Sequence, residues 1–442
     1  MKRLFLLVSC LLSTVYFSLA QTTLYNGGAI ITNDVNSIIY VDGNITNAIG
    51  GLIHNKGDIY LTKDWTNQEP SGCLDPTTGT VILDGAATQT ITGTESTRFN
   101  NLDCRKGSKK ILDVLTHITY VGGTTGVLML KSSPFDLNAN TLEVTNPLPA
   151  AITRTSGYII SETADSPSGP GYGKIEWQIG NNGPGKNYTF PFGTKSGAYI
   201  PFDFNLKIAG NQSSTGAMAV STYPTNVTAT PNNRPLPTGV SNLIDASKNN
   251  VEAAPVCTDR FWITTASNYI SKPNADIIFT YADVDWNTSG GSTNKIWEDS
   301  LRAWRWSGAQ WLNPALGTDN PGMNKVTVPA VNIFSQWTLK GVEPPPPPPC
   351  GEFFLPNAFS PNADGHNDYF KPRNNCIASL DFRIYNRWGN PVYISTSPLD
   401  PGWDGSTFKS KEGNEGVYIY ILSATLSDGT HFDKKGTVTL LK

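Results

Sequence analysis

A short pattern returns after 20 residues near the start of the chain, and it limits the fold more than any other feature. Ile39-Tyr40-Val41 followed by Asn44-Ile45-Thr46-Asn47 recurs as Ile59-Tyr60-Leu61 followed by Asp64-Trp65-Thr66-Asn67, an offset of 20 positions (59 minus 39). That period belongs to solenoids, in which one coil cannot bury its apolar face but stacked coils share a core. Fainter echoes follow at Val81-Ile82-Leu83, Thr90-Ile91-Thr92, Ile111 to Leu115, Val127 to Leu130 and Thr141 to Val144. Residues 21–150 therefore read as a β-solenoid-like repeat region, with an ordinary β-sandwich as the alternative.

Beyond 150 the repeat fades and the strands lengthen. Ile200, Phe202, Phe204, Leu206 and Ile208 alternate with polar residues, the period-two mark of a strand with one buried face. Pro201 places that strand at an edge or at its own beginning. Further strands separated by Gly-, Pro- and Asn-rich loops make 151–342 a β-sandwich, with Pro224 to Val256 as an irregular surface excursion. Six prolines, Pro344 to Pro349, then form a polyproline II spacer of about 19 Å within a 343–350 linker. The last domain is 351–442, where Leu380, Phe382 and Ile384 alternate with polar neighbours and Val417 to Leu422 and Thr437 to Leu441 give further strands. The whole is all-β, ending in a small Ig-like sandwich.

The balance of 33 basic and 36 acidic residues offers no handle for nucleic acid or an anionic membrane. Residues 1–20 read as a signal peptide: Lys2 and Arg3, an apolar run from Leu4 to Leu19, and cleavage between Ala20 and Gln21. No other stretch suits a membrane span, so the mature chain is expected to be exported without one. In that oxidising compartment Cys350 and Cys376 read as a disulfide and Cys73 with Cys104 as a second pair, leaving one thiol over.

The C-terminal segments Phe354-Leu355-Pro356-Asn357-Ala358-Phe359-Ser360-Pro361-Asn362-Ala363-Asp364-Gly365-His366-Asn367-Asp368, Ile384-Tyr385-Asn386-Arg387-Trp388-Gly389, Trp403-Asp404-Gly405, Gly416-Val417-Tyr418 and Lys435 to Leu440 occur in order. Together they resemble the gliding motility-associated C-terminal domain, the type B sorting domain of the Bacteroidota type IX secretion system. Ala363 departs from the family, which more often has Gly there; the turn is expected to survive it. The resemblance implies a route: passage through the periplasm, recognition by outer-membrane secretion machinery, then a secreted or surface-held protein. It implies nothing about the cargo's activity.

Site readings are sparse. Asn362, Asp364, Asn367 and Asp368 concentrate oxygens in one turn, which suits either self-capping or calcium. Asp283, Asp285 and Asn287 begin like a calcium loop, but Thr288 stands where that loop needs Gly. Trp304 and Trp306 lead a tryptophan-rich stretch read as core packing, with a glycan or partner platform as the alternative. His54, His117, His366 and His431 are scattered, and no catalytic or phosphate-binding motif accompanies them. A structural or adhesive surface protein without cofactor is the first functional reading. A carbohydrate-binding protein is the second, and a glycoside hydrolase or lyase the third.

Overall fold

A computed structural model describes residues 22–70, 72–74, 78–162, 171–344, 350–408 and 413–441. The signal segment, the Ala20–Gln21 cleavage point and Pro345 to Pro349 of the proline run lie outside the described residues. The chain divides into two compact units, Met1–Pro344 and Pro345–Lys442.

The first unit opens as a three-sided parallel β-solenoid of about six turns. One side stacks Thr22–Asn26, Gly43–Asn47, Trp65–Asn67, Gln89–Gly93, Lys110–Leu112, Pro134–Asp136 and Tyr158–Ile160. A second side runs from Ile38–Val41 through Asp58–Leu61 and Thr80–Leu83 to Ile152–Arg154. The 20-residue repeat is the physical register of these sides: Ile39 pairs with Ile59, Tyr40 with Tyr60, Ile45 with Trp65 and Asn47 with Asn67. Inward Ile45, Trp65 and Ile91 are fully buried. Corner asparagines bond from coil to coil, Asn26 Nδ2 to Asn47 Oδ1 at 2.8 Å and Asn33 Nδ2 to Asn55 Oδ1 at 2.7 Å. Buried amides need such partners, so the ladder satisfies what the corners remove from water. Gly57 allows one close corner: a Cβ there would sit 2.2 Å from the Ser37 carbonyl oxygen.

Later coils are longer. Trp65 pairs with Ile91, a step of 26 (91 minus 65), and Leu102 with Leu128, also 26 (128 minus 102). Loop insertions at the corners change the period while strand pairing continues, which is why the repeat weakens in sequence. Parallel stacking persists past residue 150, through Ile152–Arg154, Tyr158–Ile160 and Lys174–Trp177.

Lys174–Trp177 is the junction, because its free edge takes Asn211–Pro224 antiparallel. The sheet then continues through Arg260–Ser271 and Gln336–Lys340 to Arg302–Arg305. A second antiparallel sheet contains Asn187–Phe190, Phe202–Ile208, Asn274–Thr280, Lys325–Val331 and Thr318–Asn320. The sheets meet through Phe279, whose ring lies 5.2 Å from Trp262 and 5.4 Å from Trp337. One hydrophobic core runs from Val41 in the coils to Leu339 in the sandwich.

Two expectations are corrected here. Phe202, Phe204 and Leu206 face the core, but a register shift after Leu206 leaves Ile208 63% exposed. The excursion after Pro224 is also more than surface chain. It folds Val240 and Leu243 onto Tyr223, Phe261, Trp304 and Trp311 as a separate apolar cluster.

In the second unit a five-stranded sheet orders Ala358–Phe359, His431–Leu440, Gly416–Leu426, Ile377–Tyr385 and Pro391–Ser395. Alternation puts Phe382, Ile384, Leu422, Val438 and Leu440 on one face, where they meet Phe359, Phe370 and Trp403. Among the described residues, the covering layer is held by two bridged pairs, Phe354 with Arg373 and Phe370 with Trp403.

Candidate functional site

The segments that resemble a sorting domain are all in the second unit, and most have a structural use. Cys350 and Cys376 form the expected disulfide, with Cα atoms 5.6 Å apart. Pro356 and Phe359 are buried, and the Asn357 carbonyl accepts the Thr439 N–H at 2.9 Å. Trp403 is sealed against Phe359 and Tyr418, with ring centroids at 5.2 and 4.7 Å, and its Nε1 donates to the Ser406 carbonyl. Asp404 accepts the Ser406 N–H, and Gly405 packs near Pro361 and Leu440. Tyr418 is buried and its hydroxyl donates to the Asn414 carbonyl. Gly416 starts its strand at φ +144°, a conformation that favours glycine, while Val417 points outward, 55% exposed.

The oxygen-rich turn caps itself. Asp368 accepts the N–H groups of Ala363 at 2.7 Å and Gly365 at 2.9 Å, Asp364 accepts that of His366, and Asn362 accepts that of Asp364. Asn367 accepts Arg373 Nη2 and, like Ala363 and Gly365, has positive φ. The side-chain oxygens of Asn362, Asp364 and Asp368 thus face backbone donors of their own turn. Asp283, Asp285 and Asn287 do not converge either: their oxygens take Asn324 Nδ2, Arg260 Nε and the Ser289 N–H respectively.

One turn stands apart. Asn386 Oδ1 accepts the N–H groups of Trp388 and Asn390, both at 3.0 Å, and Gly389 takes φ +81°. This turn follows Tyr385 at the end of its strand and holds Trp388 in solvent at 68% exposure, with the Arg387 guanidinium 4.2 Å over the ring.

In the first unit the glycan platform is corrected: Trp304 and Trp306 are 0% and 2% exposed and pack on Trp311 at 4.8 and 5.5 Å. The strand Arg302–Arg305 is covered on both faces there, so these indoles belong to the core. The second disulfide is corrected as well. Cys73 and Cys104 are separate buried thiols, Cys73 beside the bridge from Leu74 to Ile53 and Cys104 at the end of Asn101–Cys104 on another side of the coil. Burial pushes the Cys73 thiol up to about 12 and raises Cys104 too. Cys257 is a third buried free thiol. Of the histidines, His117 pairs through Nδ1 with Glu143 at 2.6 Å, and that contact holds the Glu143 carboxyl below its usual range.

Two clusters were not legible in sequence, since only the fold unites their members. Arg260, buried, donates to Glu162 and Asp285, each at 2.8 Å. Next to it Asp259 accepts Ser292 and Asn294, and burial raises its carboxyl to about 6. Asp259, Asp285, Pro224, Thr225 and Val284 line a cavity of about 230 Å³. In the second cluster the Tyr281 hydroxyl lies 3.1 Å from Glu298 Oε1 and 3.2 Å from Asp319 Oδ1. Burial raises both carboxyls, Asp319 to about 6.

Residues 353–440 match the family model of the CHU_C type IX secretion signal domain, the stretch and the route that the C-terminal motifs imply. No curated protein matches the chain. Among solved structures, the crystal structure of dimeric latent PorU from Porphyromonas gingivalis aligns at 12% identity over 52% of this chain and 19% of that one. The TM-score is 0.14, too low for the likeness to carry an argument about fold or function. The matched signal supports export through the type IX system to the cell surface or the extracellular space. No helix among the described residues is long and apolar enough to cross a membrane.

Proposed function

We propose that this chain is a non-enzymatic structural and adhesive protein, delivered by its signal peptide and C-terminal signal domain to the cell surface or beyond. The observation that carries the adhesive part is the first coil of the solenoid. Tyr25, Ile30, Ile38 and Tyr40 are 64, 61, 65 and 60% exposed on its outer side, whereas the intervening Leu24, Ile31 and Ile39 stack on the buried Ile45, Ile53 and Ile59 of the next coil. An apolar surface of this kind marks contact with another surface. The continuous core behind it supports a stiff body that presents it.

Adsorption of the purified chain to cells and to apolar beads tests the reading. Replacing Tyr25, Ile38 and Tyr40 by Ser should abolish most of the binding while the unfolding midpoint stays near that of the parent. Unchanged adsorption sinks the adhesive role, and turnover of a polysaccharide by the purified chain would replace it with an enzymatic one.

A further inference from the structure

We propose that the Arg387–Trp388 tip is the contact by which the type IX machinery reads this signal domain. Its occupant is an outer-membrane component that offers an apolar slot for the indole and a carboxylate for the guanidinium. The proposal rests on the signal-domain reading above and adds the surface and its chemistry.

Fold stability does not account for this side-chain pair. Trp403 and Tyr418 fill the core, and Asn362, Asp364 and Asp368 cap a turn. Trp388 by contrast is 68% exposed and belongs to no apolar cluster. The backbone around it is set by other residues, through the two N–H groups that Asn386 accepts and the left-handed Gly389. Replacing the indole therefore leaves the turn intact.

The geometry suits recognition. An indole can bury about 150–250 Å² in a partner, and Trp and Arg are the residues most enriched where binding energy concentrates. Stacking on Arg387 and the fixed turn restrict the ring before it binds, which lowers the ordering cost of docking. Among the described residues Arg387 has no carboxylate partner, whereas Arg383, on the preceding strand, is clamped by Asp381 at 2.7 Å. The Arg387 N–H groups thus remain available for a carboxylate on the machinery.

Besides separate exposed residues such as Leu399 and Phe408, at 93% and 69%, the unit has an open sheet face that carries Ile419 and Ile421, 45% and 50% exposed. Those side chains lie on a flat face, opposite Tyr385 and Arg383 across the strand pair, with no turn that projects them.

The test is export of the full-length chain in a type IX-competent cell, measured as the fraction outside the cell against the fraction in the periplasm. Proteolytic resistance and an intact Cys350–Cys376 disulfide report folding. Trp388→Ala should lower the exported fraction by about tenfold or more, as expected for loss of a hot-spot side chain. Arg387→Glu should do the same, while Trp388→Tyr should recover part of it. Ile419→Ser with Ile421→Ser should be exported like the parent. Deletion of Cys350 to Lys442 separates the two claims. If the deletion is trapped in the periplasm but folded Trp388→Ala is exported normally, the tip is wrong and the signal-domain reading stands. Export of the deletion itself overturns both, and a block caused by the Ile419, Ile421 pair alone moves the docking surface to the sheet face.

Discussion

Arg260 Nη2 donates to Glu162 Oε1 at 2.8 Å across 98 residues of sequence, and the two side chains are 1% and 3% exposed. Glu162 lies two residues past Tyr158–Ile160, the last strand on the first side of the solenoid, while Arg260 begins a sandwich strand, so the pair ties the two regions together. Taking out one member of a buried pair leaves a charge without compensation, at a cost of about 3–5 kcal/mol. Glu162→Ala should fall near the lower end, because Asp285 still accepts Arg260 Nε. Urea unfolding of the full chain measures it. A midpoint shift worth under about 1 kcal/mol would mean that the pair does not join the two regions.

Asp259 makes stability depend on pH in an unusual direction. Its folded carboxyl is raised from 3.8 to about 6 by burial, so between these values the folded state holds the proton more tightly than the unfolded one. Its contribution is complete below about pH 4 and is lost as pH rises to about 6; Asp319, also raised to about 6, acts in the same sense. Asp245, whose carboxyl the Lys340 contact helps to hold below its usual range, acts oppositely, and only under acid conditions below that window. Unfolding midpoints should therefore fall from pH 4 to pH 6. Asp259→Asn should flatten that slope, and a slope unchanged by the substitution rules Asp259 out as its source.

The solenoid was legible because its first coils repeat at the register of the hydrogen-bonded strands, Ile39 over Ile59 and Ile45 over Trp65. It became illegible where corner loops lengthened, since loop insertions leave the pairing intact but destroy the period. The Cys350–Cys376 bridge was legible from its place at the start of a domain. The Cys73–Cys104 pair was not, because sequence distance says nothing about which side of a coil a residue faces. The Arg260 cluster joins residues 162, 260 and 285, and no local pattern encodes such a meeting.

Trp304 and Trp306 give a prediction that separates core from binding surface. Truncating a buried Trp costs about 3–5 kcal/mol, and both pack on Trp311. The double variant Trp304→Ala, Trp306→Ala should lose most of its folded population, seen as loss of near-ultraviolet circular dichroism and rapid proteolysis between Tyr223 and Trp311. A stable double variant with normal spectra would contradict the burial of these rings.

Ala363 stands in the left-handed region at φ +61°, held there by Asp368, whose two oxygens accept the N–H groups of Ala363 and Gly365. A side chain with a Cβ pays for this conformation by about 1 kcal/mol, and glycine does not. The turn survives Ala363 because three capping side chains fix the backbone on both sides of it. Ala363→Gly should therefore stabilise the C-terminal unit by somewhat less than about 1 kcal/mol, since the more flexible unfolded chain offsets part of the gain. Asp368→Ala should cost more than Ala363→Gly gains, because it removes the acceptors of two backbone N–H groups at once. Comparing the unfolding of both variants with the parent, within the full chain, measures the two effects; a destabilised Ala363→Gly would mean that the turn is not strained at that position.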